Sequence, residues 1–386
     1  MQFLGATQVF SGKEFLPSNT ILVLDDVRKL IDIISLNEID ELKVEKHEGI
    51  ITPGFINAHC HLELSHLKDT IKKHTGIVDF GLGVMQHRNT LPETLQIEAM
   101  VEADKEMVKQ GIVAVGDISN TNLSISTKKA SNIYYHTFVE LIALNPERAS
   151  IVFDNGQQLL LDFKNVSLHG SLAPHAPYSA SKELIQLISH YCFQNNSPTS
   201  IHNQESKAEN DFFQFKIGDY LRLYEQIGLT INYFTPTQKS SLLSIIDAFH
   251  PSVNTLLVHN TFSSNEDLKI SRQLHQQLFW CLCPNANLYI ENTLPDITEL
   301  IKQNCNLVIG TDSLASNSGL SMIDEINTIC KNFPKIPLDI LLQAATFNGA
   351  YFLGISHQYG ELNPNTNCGI NLIEGKKGEF RVKKLA

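Results

Sequence analysis

Eight apolar segments rich in β-branched residues recur along the middle of the chain, and segments with helical periodicity separate them. The apolar segments are residues 51–58, 112–118, 133–141, 166–173, 199–202, 255–259, 278–283 and 307–311. Helical periodicity is clearest in residues 95–110, 182–193, 265–276 and 338–347. Short apolar strands that alternate with helices are typical of a parallel α/β domain. A count of eight favours a closed (β/α)8 TIM barrel over an open sheet.

Both ends of the chain show shorter strand patterns that turn residues interrupt. The first strand candidates are residues 8–10, 21–24 and 30–34, and a similar pattern returns in residues 359–380. Such short strands do not form a stable core alone. The sequence therefore predicts a small β-sandwich domain that residues 1–50 and 351–386 build together. The barrel domain, residues 51–350, is inserted between them.

Two connections, residues 67–92 and 206–251, are longer than a simple crossover requires. Both follow strand candidates, so in a barrel they lie on the face where active sites form. The second connection is rich in aromatic residues, namely Phe212, Phe213, Phe215, Tyr220, Tyr224, Tyr233 and Phe234. It is either a lid or substrate wall, or additional helical core, and the sequence leaves both alternatives open.

Composition narrows the class of protein. The formal net charge is -11, and no block of Lys and Arg is visible. This balance disfavours nucleic acid and anionic membranes as partners. The chain has 7 cysteines, an odd number that favours reduced thiols over a disulfide framework. Because neither a signal peptide nor a long apolar run is visible, we expect a cytoplasmic protein.

Side chains that bind metals stand at the ends of four strand candidates. His59 and His61 close the first of these strands, and alternate residues of a strand point to the same side. His202 ends the fifth strand, His259 the sixth and Asp312 the eighth. In a barrel these ends meet at one face. Imidazole and carboxylate ligands suit zinc or a similar divalent ion, so the sequence predicts a metal site there.

The segments around these residues resemble the motifs of the amidohydrolase superfamily. They follow the family's order along nearly the whole chain: TPGFINAHCHLELS (52–65), SLAPHAPYSAS (171–181), HNQES (202–206), LVHN (257–260), CPNANLYI (283–290) and GTDSLASN (310–317). Together they resemble the branch that holds triazine hydrolases, guanine and adenosine-type deaminases and aminodeoxyfutalosine deaminases. Residues 360–373 depart from the family pattern, because NCGIN replaces the usual Gly-Lys-x-Ala-Asp run.

The resemblance implies one divalent metal ion, preferably Zn²⁺ with Fe²⁺ or Mn²⁺ as alternatives, held by His59, His61, His202 and Asp312. It implies that Glu205 is the general acid/base, which takes a proton from water and delivers it to the leaving nitrogen. His259 would hydrogen-bond this water or the developing oxyanion, and Asp312 would also accept a proton. No Lys ends the fourth strand, where binuclear relatives carry a carboxylated Lys, so we expect one metal.

Four further residues are candidate substrate contacts. The resemblance makes His175 a substrate contact, and the alternative is a histidine fixed by neighbouring prolines. Arg88 either binds an anionic group of a substrate or forms a surface ion pair. Glu63 follows His59 and His61 within the first motif, and Asn317 ends the last one.

Three functions are compatible with these residues. The first is hydrolytic deamination of an aminated purine or nucleoside-like heterocycle, and HCHLELS with residues 76–88 most resembles aminodeoxyfutalosine deaminases. The second is hydrolysis with another leaving group, as in a chlorohydrolase or a hydrolase of an amide or cyclic C–N bond. The third is an inactive barrel that acts as a binding scaffold, which the full set of expected ligands and Glu205 disfavours. The family resemblance also suggests a small-molecule substrate and a homodimer.

Overall fold

The computed structural model describes the whole chain, Met1–Ala386. Its strands, in chain order, are β1 (Gln2–Val9), β2 (Thr20–Leu24), β3 (Leu30–Ser35), β4 (Val44–Pro53), β5 (Phe55–Cys60), β6 (Ile112–Ser119), β7 (Tyr134–Leu141), β8 (His169–Pro174), β9 (Thr199–Asn203), β10 (Thr255–His259), β11 (Leu278–Leu282), β12 (Asn306–Ile309), β13 (Ile370–Glu374) and β14 (Arg381–Lys384). Its α-helices are α1 (Gly76–His87), α2 (Glu93–Lys109), α3 (Ile125–Ala130), α4 (Ala149–Asn165), α5 (Lys182–Gln194), α6 (Lys207–Phe215), α7 (Asp219–Gln226), α8 (Ser241–Ile245), α9 (Asn265–Leu274), α10 (Pro284–Ile290), α11 (Ile297–Lys302), α12 (Met322–Asn332), α13 (Leu338–Ala344) and α14 (Phe347–Phe352).

The eight strands β5–β12 form two four-stranded parallel sheets, ordered β5-β6-β7-β8 and β9-β10-β11-β12. Backbone hydrogen bonds connect the sheets on both sides. His202 N donates to His175 O at 2.9 Å, and Thr311 N donates to His59 O at 3.0 Å. The fold is therefore TIM-barrel-like. Strands are present in all eight predicted segments, but the first segment, residues 51–58, is divided between the end of β4 and the start of β5, which belong to different sheets. Closure into one continuous (β/α)8 barrel stays a prediction.

Several strands of this part, β10 and β11 most clearly, are rich in apolar residues because they are buried on both faces. Every residue of β5, β9, β10 and β11 is buried, and the Trp280 side chain in β11 is fully enclosed. Parallel strands that helices cover on both sides have this apolar character. Polar residues at the carboxyl ends of these strands are therefore exceptions to the apolar character that burial favours.

Two of the predicted helices, α5 and α9, begin at the predicted residue, and a serine caps each of them. The side chain of Ser181 accepts from Leu184 N at the start of α5, and Ser264 forms a capping box with Asp267 at the start of α9. The pattern at residues 338–347 differs, because the structure divides it between α13 and α14. No helix combines the length and apolar character needed to cross a membrane.

The aromatic connection after β9 contains α6, α7 and α8. Phe212 and Tyr220 are fully buried, Tyr224 is nearly so, and the rings of Phe212 and Phe234 stack at 4.3 Å. Phe215 and Tyr233 are exposed, so only the buried aromatic residues of this segment belong to additional helical core, which was one of the two alternatives.

The two ends of the chain meet in one mixed six-stranded sheet, ordered β14-β13-β4-β1-β2-β3. β13 pairs antiparallel with β4, so that Ile370 lies opposite Pro53. The sequence pattern did not predict β4, because its first six residues are exposed or half-buried and mostly polar. A second layer that would make the sheet a sandwich, and the division into residues 1–50 plus 351–386 and residues 51–350, stay predictions.

Candidate active site

His59 and His61 lie at the carboxyl end of β5, where the strand delivers both rings to the same side. The ring centroids are 4.9 Å apart, and the side chain of His59 is fully enclosed. Residues one position apart alternate between the faces of a strand, so Cys60 between them points away. The two imidazoles therefore converge at the end of the strand.

Two further strand ends complete the cluster. The Nε2 atoms of His61 and His202 are 3.2 Å apart, and Asp312 Oδ1 lies 3.6 Å from His59 Nε2 and 3.5 Å from His61 Nε2. Asp312 follows β12, and a backbone bridge joins it to Cys60 of β5. The structure thus brings all four predicted metal ligands together.

The polar atoms of this cluster have bonding capacity that the protein does not use. Both ring nitrogens of His59 are buried without a hydrogen-bond partner. One nitrogen each from His59, His61 and His202 lies within 4.8 Å of the others. Unpaired buried polar atoms are rare and costly. Three imidazole nitrogens and one carboxylate oxygen that face a common centre fit a divalent metal ion.

Burial keeps the imidazoles in the state that binds metals. Burial, and then the charge of neighbouring imidazoles, lowers the pKa of His202 well below its ordinary value, and the same causes lower that of His61. Burial alone would raise the pKa of Asp312, but contact with His59 and the charges of His61 and His259 hold it below its ordinary value. Neutral histidines beside an ionised carboxylate are the ligand forms that a metal requires.

Neighbouring groups fix the orientation of the ligands. His202 Nδ1 lies 2.8 Å from the carbonyl oxygen of His175, which can only accept, so Nδ1 donates and the Nε2 lone pair faces the cluster. Ser316 Oγ donates to Asp312 Oδ2 at 2.6 Å, which leaves Oδ1 for the cluster. Ser316 was not predicted, although it lies within the last metal motif.

Glu205 and His259 lie next to the cluster and contact each other. Their closest side-chain atoms, Oε1 and Nε2, are 3.5 Å apart, and both residues are buried. Burial, and then the charge of Asp312, raises the pKa of Glu205 well above its ordinary value. Burial also lowers the pKa of His259 to about 4, and its Nδ1 lies 2.7 Å from Asn287 Oδ1. Burial thus favours the protonated form of Glu205, which is the form that can deliver a proton to a leaving group.

The backbone is strained at the strand ends that carry these side chains. Non-glycine residues with left-handed φ are Gln204 (46°), His259 (76°), Asn260 (58°) and Asp312 (56°). Such conformations cost about 1–3 kcal/mol each and cluster at functional sites. These residues are four of the fourteen non-glycine residues with left-handed φ in the chain. Gln204 and Asp312 lie just after β9 and β12, and His259 and Asn260 lie at the end of β10, so part of the strain is located at the cluster.

A cavity of about 160 Å³ opens beside the cluster. Its lining includes His61, His202, Glu205, His259 and Asp312 together with His175, Arg88, Asn120, Glu140, Tyr178, Tyr220, Leu223, Ile77, Phe80 and Ile290. Tyr220 and Leu223 come from α7, so the aromatic segment also supplies part of the wall. The lining thus combines the polar residues of the cluster with apolar and aromatic side chains.

Two of the four predicted substrate contacts line the cavity, and the other two lie outside it. His175 lines the cavity, and Arg88 reaches it while its Nη2 donates to the buried Glu63 at 3.0 Å. Glu63 is behind Arg88 and is not part of the lining. Asn317 is buried outside the cavity, where it donates to Thr311 O and Glu325. Direct contact with a substrate is therefore available to His175 and Arg88, and the roles of all four stay predictions.

Sequence reasoning missed Glu140, which ends β7 and lines the cavity. Its Oε2 accepts from Asn120 Nδ2 at 3.0 Å, and its Oε1 has no hydrogen-bond partner. The nearest cation candidate, His202 Nδ1, is 3.7 Å from Oε1 and already donates elsewhere. The available signal was a lone carboxylate at the end of an apolar strand.

Comparisons with known proteins identify the family and several related structures. A sequence model described as the amidohydrolase family matches residues 50–384. An adenosine deaminase of Helicobacter pylori is 27% identical over 382 residues, which cover 96% of this chain and 91% of that protein. The structure of H. pylori aminofutalosine deaminase in complex with methylthio-coformycin superposes with a TM-score of 0.80 and 25% identity, covering 97% of this chain and 93% of that one. An atrazine chlorohydrolase variant of Arthrobacter aurescens, complexed with zinc and atraton, gives a TM-score of 0.74 at 15% identity, with 96% and 86% covered.

Proposed function

Because the chain belongs to the amidohydrolase family, we propose that it is a metal-dependent aminohydrolase that deaminates an adenosine-like nucleoside. The observation that carries the proposal is the buried cluster of His59, His61, His202 and Asp312, with Glu205 directly beside it. Two relatives that cover most of the chain are named as deaminases of adenosine and of aminofutalosine. Their shared chemistry is removal of an amino group from a purine nucleoside.

We assign the metal to His59, His61, His202 and Asp312. A divalent metal in such a site supplies Lewis-acid activation of water. The four residues hold it from three strand ends, and Ser316 and the carbonyl of His175 keep Asp312 and His202 in a binding orientation. Zinc is our preferred metal, with iron or manganese as alternatives. Metal analysis of the purified protein distinguishes them.

Glu205 is the proton carrier of this proposal. Its carboxyl group takes a proton from the attacking water and returns it to the departing amino nitrogen, which leaves as ammonia. His259 lies 3.5 Å from Glu205, and its Nδ1–H points to Asn287 Oδ1. A neutral His259 therefore offers the Nε2 lone pair to a proton of the same water, which orients this water toward the substrate carbon.

The side chains that line the cavity offer the chemistry that a nucleoside with an aromatic base and a polar sugar requires. Phe80, Tyr178 and Ile290 provide apolar surface for a base, and His175 lies near the cluster. The unpartnered Glu140 Oε1 accepts a hydroxyl proton of the sugar. Small-molecule pockets usually measure about 300–1,000 Å³, so the cavity of about 160 Å³ is too small for a nucleoside. We infer that α1 or α7 moves outward when the substrate enters.

The decisive experiment measures ammonia release by metal-replete protein. The panel contains adenosine, aminodeoxyfutalosine, S-adenosylhomocysteine, guanine, cytosine and an aminotriazine. We expect release from a purine nucleoside, and loss of that release in Glu205→Gln. Glu183→Gln removes the same charge from the exposed face of α5 and serves as the control. Silence across the panel, with one metal bound per chain, would contradict deamination and favour hydrolysis with another leaving group. A homodimer and a cytoplasmic location remain parts of the proposal that the assay does not address.

A further inference from the structure

A lysine and an aspartate form a fully enclosed ion pair behind the candidate metal site. Lys128 of α3 and Asp117 of β6 both have side chains with 0% exposure, and Lys128 Nζ lies 2.6 Å from Asp117 Oδ2. Lys128 Nζ also donates to Ser119 Oγ at 3.0 Å and to Thr137 Oγ1 at 2.9 Å. Three oxygen acceptors therefore hold the ammonium group in one place. Neither Lys128 nor Asp117 lines the substrate cavity.

The second carboxylate oxygen of Asp117 accepts a hydrogen bond from the segment that directly follows the candidate ligands His59 and His61. Asp117 Oδ1 accepts from the backbone N–H of Leu62 at 2.7 Å, and Leu62 directly follows His61. The β5–β6 register places Asp117 opposite Cys60, so this carboxylate lies alongside the His59–His61 segment. The hydrogen bond thus ties the backbone next to one candidate ligand to a fixed point on the neighbouring strand.

The local sequence explains why this hydrogen bond comes from another strand. A short 3-10 helix, Leu62–Leu67, begins directly after His61, and no side chain caps it locally. The first N–H groups of a helix need an acceptor, which the N-cap side chain normally provides. His61 occupies the N-cap position, and its imidazole faces His202 and Asp312 instead. Asp117 supplies the missing acceptor.

We propose that Asp117 and Lys128 are positioning residues that set the orientation of His61 and thereby the affinity of the site for its divalent metal. The inference rests on the proposed metal site, but not on the identity of the substrate. Buried ion pairs are often replaceable by apolar residues without loss of stability. Stability alone therefore does not account for the pair, whereas the hydrogen bond from Leu62 N–H to Asp117 does. Groups that orient metal ligands typically contribute about 10- to 100-fold to metal affinity.

The test compares two double variants that both remove the buried charges. Asp117→Asn with Lys128→Met keeps an acceptor for Leu62 N–H, whereas Asp117→Leu with Lys128→Met removes it. We expect the Leu variant to bind Zn²⁺ about 10- to 100-fold more weakly in chelator competition, and the Asn variant to bind within about threefold of the original protein. Thermal unfolding of the metal-free forms measures stability separately. A purely structural role would instead make affinity follow stability in both variants.

Lys216→Met is the control, since Lys216 Nζ also donates to oxygens away from the site, the half-buried carbonyls of Ile231 and Phe234, at 2.9 and 2.8 Å. It should lower stability without changing Zn²⁺ affinity. If the Asp117→Leu double variant does not fold, Asp117→Ala with Lys128→Met removes the same acceptor with a smaller side chain. Unchanged Zn²⁺ affinity in a folded variant without the acceptor overturns the proposal. These measurements need no turnover, so a failure of the deaminase assignment does not affect them.

Discussion

The two ends of the parallel strands carry very different cavities. At the carboxyl ends, which we call the mouth, a cavity of about 160 Å³ adjoins the His59 and His202 cluster. At the opposite end a cavity of about 760 Å³ is lined by Tyr134, His136, His169 and other residues at the starts of strands. The candidate metal ligands therefore lie beside the smaller cavity and not beside the larger one. Volume alone does not indicate where the chemistry lies.

The difference is in how far the polar groups are satisfied. At the opposite end His136 Nε2 lies 2.9 Å from Ser171 Oγ, which donates to Pro198 O at 2.6 Å. This chain of hydrogen bonds satisfies His136 Nε2 and Ser171 Oγ, and among the residues that line this cavity only Ser197 Oγ is a buried polar atom without a partner. At the mouth, His59 Nδ1 and Nε2 and Glu140 Oε1 have no partner. Buried polar groups without partners are costly, so their concentration at the mouth indicates ligands that the protein itself does not supply.

The largest expected effect is on metal binding at the mouth. We expect His59→Ala and Asp312→Ala to retain close to zero metal per chain, because each removes one of four converging donors. Elemental analysis of the purified variants measures this directly. His136→Gln replaces a buried histidine at the opposite end and should keep the full metal content. Full occupancy in both mouth variants would refute the coordination that we propose.

The next effect is on turnover with the metal in place. Glu205→Gln should bind metal normally and lose about 10²- to 10⁴-fold in kcat, since the amide cannot carry the proton between water and the leaving nitrogen. Steady-state kinetics with the best substrate of the panel measure the loss. Turnover equal to that of the unmodified protein would remove Glu205 from the mechanism. The same substitution is nearly isosteric, so a large change in metal content would point to a structural role instead.

A smaller effect is expected on substrate recognition. Glu140→Gln should raise KM for a ribonucleoside about tenfold and leave kcat within about threefold, because a hydrogen bond to a charged acceptor contributes about 1.5–3 kcal/mol. The same comparison with 2′-deoxy and 3′-deoxy analogues tests whether a sugar hydroxyl is the donor. The variant should discriminate less against the analogue that lacks this hydroxyl. Unchanged discrimination against both analogues would contradict the contact. Glu147→Gln, on the exposed turn after β7, is the control.

The sequence was most informative where a residue broke a regular pattern in a recognisable context. His59, His61, His202, His259 and Asp312 stood at the ends of apolar strands, and strand ends in this fold face one site. The eight strands themselves followed from their burial on both faces, which makes several of them rich in apolar residues.

Other features depended on distances that no sequence pattern contains. Glu140 and Asp117 also end or interrupt apolar strands, but their partners Asn120 and Lys128 come from connections whose path is set by tertiary packing. Asn317 lies in a motif that contains Asp312, yet its side chain turns to Glu325 and away from the cavity. β4 was missed because its exposed half is polar, so only its pairing with β1 and β13 defines it.

The smallest expected effect concerns the opposite end and separates stability from function. Burial, and then the positive charges of His169 and Lys128, lowers the pKa of His136 to about 3. A histidine whose pKa is lowered by folding stabilises the protein above its ordinary pKa of 6.5, and this stability is lost as the pH falls from 6.5 toward 3. Each pH unit in this window amounts to at most about 1.4 kcal/mol. Urea unfolding at pH 7.5 and pH 5 should therefore show an acid-induced loss that is up to about 2 kcal/mol smaller in His136→Gln than in the original protein. Turnover at pH 7.5 should be the same in both proteins. If His136→Gln reduced turnover as much as the mouth variants do, the two ends would not differ in the way that their hydrogen bonding indicates.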